Sequence, residues 1–155
     1  MAENTGLATL DIRGAMSADG PSAYCSLKAG TMKEKAILYN ATSNPEHKVG
    51  DFINKLIWVK DIYVEAIEIA DTDDNGNPIK DENGEDKTTV VPRIVLIDKD
   101  NKAYQAVSKG VMNALVRMIR IYGEPTWSDG LPCIVKQVSF GKNQMLTLDV
   151  DVSQF

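Results

Sequence analysis

The stretch FINKLIWVKDIYVEAIEIAD, residues 52–71, admits two readings, and the choice between them decides the fold. Ile53, Leu56, Ile57 and Lys60 are spaced as in the opening of a helix. From Ile57 onward, however, Ile57, Val59, Asp61 and Tyr63 alternate with Trp58, Lys60, Ile62 and Val64, and Ile67 and Ile69 keep the period of two beyond Glu65. Successive side chains of a strand point to opposite faces, and aromatic and β-branched residues suit that pleated surface. Alternation and composition together predict one long strand.

Working outward, KTTVVPRIVLID (87–98) is a second strand by the same criteria, with Pro92 marking an edge or a bulge. DKDN (98–101) has a tight-turn composition and returns the chain as KAYQAVS (102–108). A helix follows. Ser108 is a good N-cap, Val111, Leu115, Met118, Ile119 and Tyr122 recur at helical spacing, and Gly123 with Pro125 ends it. EPTWSDGLP is a loop, after which CIVKQVSF (133–140) and QMLTLDVDV (144–152) make a hairpin around GKN. Upstream, EKAILYNA (34–41) has the composition of a strand and ATSNPEHKVGD that of a turn. GLATLDIRG (6–14) suits a short strand, within a lead-in over residues 1–32 that is otherwise irregular around Gly20-Pro21. No internal repeat stands out. About five strands with one helix before the last hairpin predict a mainly β protein, a small Greek-key barrel of the OB type, as a single domain over residues 1–155.

Composition bounds the class. With 155 residues, 43% hydrophobic and 25% charged, the chain can bury one core. No apolar run approaches the roughly 20 residues of a membrane span, and the first residues have neither a basic nor an apolar signal region, so no membrane association or export is expected. Cys25 and Cys133 stand alone and are expected to be reduced thiols. The net charge of −5 argues against a nucleic-acid partner until it is located. Residues 71–86, DTDDNGNPIKDENGED, hold seven of the 22 acids and one of the 17 bases, so the remainder carries 15 acids against 16 bases. The acidity is one local feature.

That same stretch matches the spacing of an EF-hand calcium loop at Asp71, Asp73, Asn75, Gly76 and Glu82. An EF-hand needs helices on both sides, whereas the flanks here read as strands, so an acidic hairpin loop over 71–88 is expected and calcium-dependent interaction is the alternative. Catalysis is not expected. The lone histidine, His47, lies in a polar turn and reads as solvated, and no phosphate-binding loop, nucleophile elbow or metal-binding helix is present. What remains is a set of cations interleaved with aromatics, the combination by which single-stranded nucleic acid is held: charges follow the backbone and bases stack on rings. A basic stripe of Lys109, Asn113, Arg117 and Arg120 on the outer helix face reads first as a solvated surface.

The order of motifs carries a resemblance. VPRIVLIDKDNKAYQAVSKGVMNALVRMI, then a loop, then PCIVKQVSFGKNQMLTLDV, resembles the small single-stranded-DNA-binding replication proteins of tailed phages, including protein-primed short-tailed phages. It spans roughly residues 33–152; the acidic insertion and the lead-in depart from the pattern. The resemblance implies an OB-like barrel that coats the displaced strand without base specificity, shields it from nucleases and prevents unproductive polymerase binding. It implies a host-cytoplasmic setting, no cofactor and no enzymatic activity. Partners would be single-stranded DNA and phage replication proteins, with oligomeric state open and a virion component sharing the barrel as a further alternative. The expected DNA-binding residues are Lys33, Lys35, Tyr39, Lys55, Trp58, Lys60, Tyr63, Arg93, Lys102, Tyr104 and Lys136, with Trp58 and Tyr104 foremost for stacking.

Overall fold

The computed structural model describes residues 23–141 and 143–155. In chain order these form β1 (Ala23–Cys25), α1 (Met32–Ser43), β2 (His47–Lys48), β3 (Leu56–Ala70), β4 (Thr88–Asp98), β5 (Ala103–Val107), α2 (Lys109–Tyr122), β6 (Leu131–Phe140) and β7 (Asn143–Val150). The ambiguous stretch is one strand of 15 residues, as its alternation predicts. Its period slips once: a bulge between Val59 and Asp61 against β4 shifts the register, so Ile57 and Val59 share the inner face with Ile62 and Val64.

The sheet runs β2-β5-β4-β3-β6-β7, and β1 adds to β3 beside β6. It curls into a half-barrel, giving a mainly β, OB-like architecture. On the concave side Ile57, Val59, Ile62, Val64, Ile94, Leu96, Cys133, Val135 and Leu148 meet Val111, Leu115 and Met118 of α2. The helix follows its sequence signals, with the Ser108 hydroxyl accepting from the Val111 N–H and Gly123 closing it at φ 83°. Pro92 lies one residue past the end of the β4–β5 pairing, where its missing N–H costs no ladder bond on that side.

The structure corrects four expectations. EKAILYNA is helical, within α1, so there are two α-helices among the described residues. Thr31 and Glu34 form a capping box, the hydroxyl accepting from the Glu34 N–H at 3.1 Å and the carboxylate from the Thr31 N–H at 3.0 Å. Only Ala41 of this helix is fully buried, so its apolar residues carry almost no helical periodicity to read. The lead-in is not wholly irregular, since Ala23–Cys25 pairs with Tyr63–Glu65; the strand expected at 6–14 lies outside the described residues. His47 is no solvated loop residue: it pairs in parallel with Tyr104, its ring stacked at 4.9 Å and edge-on to Phe52 at 5.1 Å.

Fourth, the chain does contain a repeat. Asp73-Asp-Asn-Gly-Asn77, Asp81-Glu-Asn-Gly-Glu85 and Asp98-Lys-Asp-Asn-Lys102 are one turn built three times. In each, one carboxylate oxygen of the leading Asp accepts the N–H groups two and four residues on, at 2.8–3.0 Å. The fourth residue is left-handed in all three: Gly76 (φ 81°), Gly84 (φ 79°) and Asn101 (φ 66°). The first two turns branch from a ring of backbone bonds: Asp71 N–H to Lys87 O at 2.8 Å, Ile79 N–H to Asp71 O at 2.9 Å, and Lys87 N–H to Ile79 O at 2.7 Å. The EF-hand spacing is thus a by-product of two adjacent Asx turns between strands. Asp73 is engaged by backbone, and no three acids, histidines or cysteines among the described residues come together as metal ligands.

Candidate functional site

The expected residues separate into three places. The first centres on Trp58, on the face of β3 opposite the core residues Ile57 and Val59. Its backbone carbonyl accepts the Lys99 N–H at 3.0 Å, which draws the third Asp turn over the strand. Lys99 Nζ then lies 4.7 Å from the Trp58 ring centre, a cation–π contact. Lys60 Nζ donates to Asn101 Oδ1 of the same turn at 2.6 Å, and exposed Lys102 completes it. Across the sheet Trp58 faces Pro132, whose side of β6 also carries Lys136.

The loop after α2 closes the other flank. The Trp127 N–H donates to the Lys60 carbonyl at 3.0 Å, and Gly130, at φ 81°, lies so close that an added Cβ would be 3.0 Å from the Trp58 Cβ. That approach is open only to glycine. Beneath the loop Asp61 is buried, one oxygen accepting from the Ser26 hydroxyl at 2.8 Å and the Thr126 hydroxyl at 2.6 Å. This ties β1, β3 and the loop together under Trp58. The first turn of α1 stands nearby. The Glu34 carboxyl is held below its ordinary value first by the Thr31 N–H, and Lys33 and Lys35 beside it are exposed. Tyr39, 70% exposed, lies one to two turns further along the helix.

The second place is a strut. Arg93 donates to Glu65 at 2.9 Å, twice to Gln105 at 3.1 and 2.8 Å, and to the Thr42 carbonyl of α1 at 2.6 Å. Tyr63 lies alongside, its hydroxyl donating to Glu65 at 3.0 Å, and burial followed by that carboxylate pushes its pKa up to about 12. The third place is the aromatic group of His47, Phe52 and Tyr104, with Lys55 Nζ 5.7 Å from the Phe52 ring. Tyr104 is core: 7% exposed, its hydroxyl donates to buried Asp98 at 2.9 Å, and burial first, then Asp98, raises its pKa.

The structure thus sets Lys60 and the turn that carries Lys102 beside Trp58, with Lys136 on the same face of β6 further along the sheet, and leaves Tyr63, Arg93 and Tyr104 elsewhere. The third turn adds Lys99, a cation the sequence groups with Lys102 and Tyr104, and Asn101, neither of which is among the expected binding residues. The recurrence of D-x-[DN]-[GN] was the available signal, because it fixes where the third turn's side chains must point. A family model described as Phage Single-stranded DNA-binding protein, of the Phi29 type, matches residues 21–151. No curated protein and no solved structure matches the chain.

Proposed function

Because the chain belongs to the phage single-stranded DNA-binding protein family and so binds single-stranded DNA in phage replication, we propose that it grips the strand through the Trp58 face. The observation that carries this is the half-buried Trp58 ring with the Lys99 ammonium on it and Lys60 bonded to Asn101 of the same turn. A base replaces the ammonium on the ring, and the released lysine turns to the adjoining phosphate. Lys33, Lys35 and Tyr39 extend the path along α1, and Lys55 is a separate phosphate contact near Phe52. Arg93, Tyr63 and Tyr104 serve by holding the sheet and α1 in place.

Such a surface has no base-edge donors and acceptors in fixed array, so it binds without sequence preference. It acts by binding alone, coating displaced single strands in the host cytoplasm beside the phage's other replication proteins. No helix among the described residues is long and apolar enough to cross a membrane.

The test is tryptophan quenching by oligo-dT with duplex of equal length as control. Trp58→Ala is expected to cost about 1–3 kcal/mol of affinity, one stacked base, whereas Trp127→Phe leaves affinity intact. Lys99→Ala and Lys60→Ala should each lower the slope of log affinity against log salt by about 0.7, one single-strand phosphate contact. Full affinity in Trp58→Ala would move the path off this face.

A further inference from the structure

Beyond residue 65, β3 pairs only with β4, and β4 loses β5 beyond Arg93. The ribbon Ala66–Ala70 with Thr88–Pro92 is thus flanked by no other described strand. At about 3.3 Å per residue it stands some 16 Å clear of the sheet. At its end sit the two Asp turns on their ring of backbone bonds, bearing the stretch with seven acids and one lysine. Ile67, Ile69 and Val91 share one face of the ribbon, and Ile69 is 45% exposed. Ile79, between the two acidic turns, is 38% exposed. A two-stranded ribbon with apolar side chains and two open edges is marginal in water by itself.

The opposite surface complements it. Lys109, Asn113, Arg117 and Arg120 form an exposed stripe along α2, on the side of the sheet away from Trp58. Next to the stripe a groove of about 240 Å³ runs between α2 and β7, bounded by Arg117, Met118, Ile121, Tyr122, Leu148 and Asp149. Ile121 is 79% exposed at its rim. Asp149 is the one acid there, against the cations of the stripe.

We propose that the acidic arm docks on the α2 face of a second copy, linking copies head to tail along the coated strand; the linkage along DNA rests on the binding reading above. Pro78 and Ile79 enter the groove, and the flanking acids meet Arg117 and Arg120. Charge selects this arrangement over arm-to-arm pairing, which would set two strongly acidic tips together. Unlike patches joined in this way do not close a pair, so the contact propagates, as a strand-coating protein requires. The arm also keeps its acids on neighbouring protein and off the DNA path.

The experiment compares full-length wild type with two variants that spare the turn-forming Asp73 and Asp81. One neutralises the tip (Asp74→Asn, Glu82→Gln, Glu85→Gln); the other reverses the stripe (Arg117→Glu, Arg120→Glu). Binding is measured on oligo-dT that holds one copy and on a strand that holds several, with sedimentation velocity at low and high salt. Each variant should lose about tenfold in cooperativity on the long strand while one-copy affinity stays within about twofold, the size of ordinary coupling between sites. A tip carrying Asp74→Lys, Glu82→Lys and Glu85→Lys should form mixed chains with the stripe-reversed protein. Unchanged cooperativity in both variants overturns the proposal. Loss of one-copy affinity on reversing the stripe also overturns it, making α2 a DNA contact. So does loss of cooperativity on removing residues 1–22 with none on neutralising the tip, which would seat that segment in the groove. Failure of every protein to bind oligo-dT would sink the DNA reading instead, while sedimentation still reports self-association.

Discussion

At the scale of single residues, one side chain does unequal work in three equivalent turns. Asp73 and Asp81 lie in the exposed arm tip, where water can replace the N–H groups they receive. Asp98 is 7% exposed and additionally accepts the Tyr104 hydroxyl. Removing the acceptor of a buried donor such as the Tyr104 hydroxyl costs its desolvation, about 1–3 kcal/mol, and the two part-buried N–H groups add to it, while surface substitutions cost little. Asp98→Ala is therefore expected to destabilise by about 3 kcal/mol in urea unfolding, and Asp73→Ala or Asp81→Ala by less than about 1 kcal/mol. Equal losses at all three would mean that the arm tip is as cooperative with the fold as the β4–β5 turn. None of this inequality is visible in sequence, where the three motifs look alike.

At the scale of elements, helices show why legibility varied. α2 buries a full apolar stripe and carries both caps, so its boundaries followed from Ser108, Gly123 and the spacing between them. α1 buries one residue and is held by Thr31 at one end and by Arg93 on the Thr42 carbonyl at the other. A helix fixed by its cap and a distant guanidinium leaves no periodic mark, and its local composition suited a strand equally well. The seating of α2 adds a prediction of inverted sign. In an exposed helix, Gly→Ala stabilises by about 1 kcal/mol. At Gly110 an added Cβ would collide with the Leu146 carbonyl of β7 and touch the Met145 side chain. Gly110→Ala should destabilise by about 1–3 kcal/mol, the usual cost of overpacking, measured by thermal or urea unfolding. A stabilised variant would show that α2 can slide on β7.

At the scale of the whole molecule, burial makes the fold sensitive to alkali. Cys133 is pushed from 9.0 to about 12 by burial alone. Tyr63 rises to about 12 from burial and then Glu65, and burial likewise raises Tyr24, Tyr104 and Cys25. Each group ionises at its ordinary value once unfolded, so the unfolded chain releases protons that the native state retains. The stability this gives is complete below the ordinary values and is lost as pH rises through the folded ones. The urea midpoint is expected to hold to about pH 8.5 and then to fall continuously towards pH 12. Cys133→Ala should start from lower stability and fall less steeply; a flat profile above pH 10 would contradict the burial of these groups.

The sequence by itself determined the long strand at 56–70, the two strands after it, the α2 helix with its caps, the closing hairpin and the location of the acidity. These are local or periodic properties, written in alternation, cap residues and turn formers. Tertiary structure alone decided which cations and rings share a surface. Trp58 and Tyr63 lie five residues apart on one strand, and the bulge at Val59–Asp61 sets both on the face away from the main core, yet the differing neighbours of their two segments divide them. Trp58 is left half-exposed under Lys99, and Tyr63 is packed beside Arg93 and Glu65. Tyr104 was drawn inward by Asp98, a partner six residues earlier on the paired strand. Exposure is set by what comes to lie on a residue from distant parts of the chain, and that is settled only when the sheet curls and the turn from Asp98 to Lys102 folds back over β3.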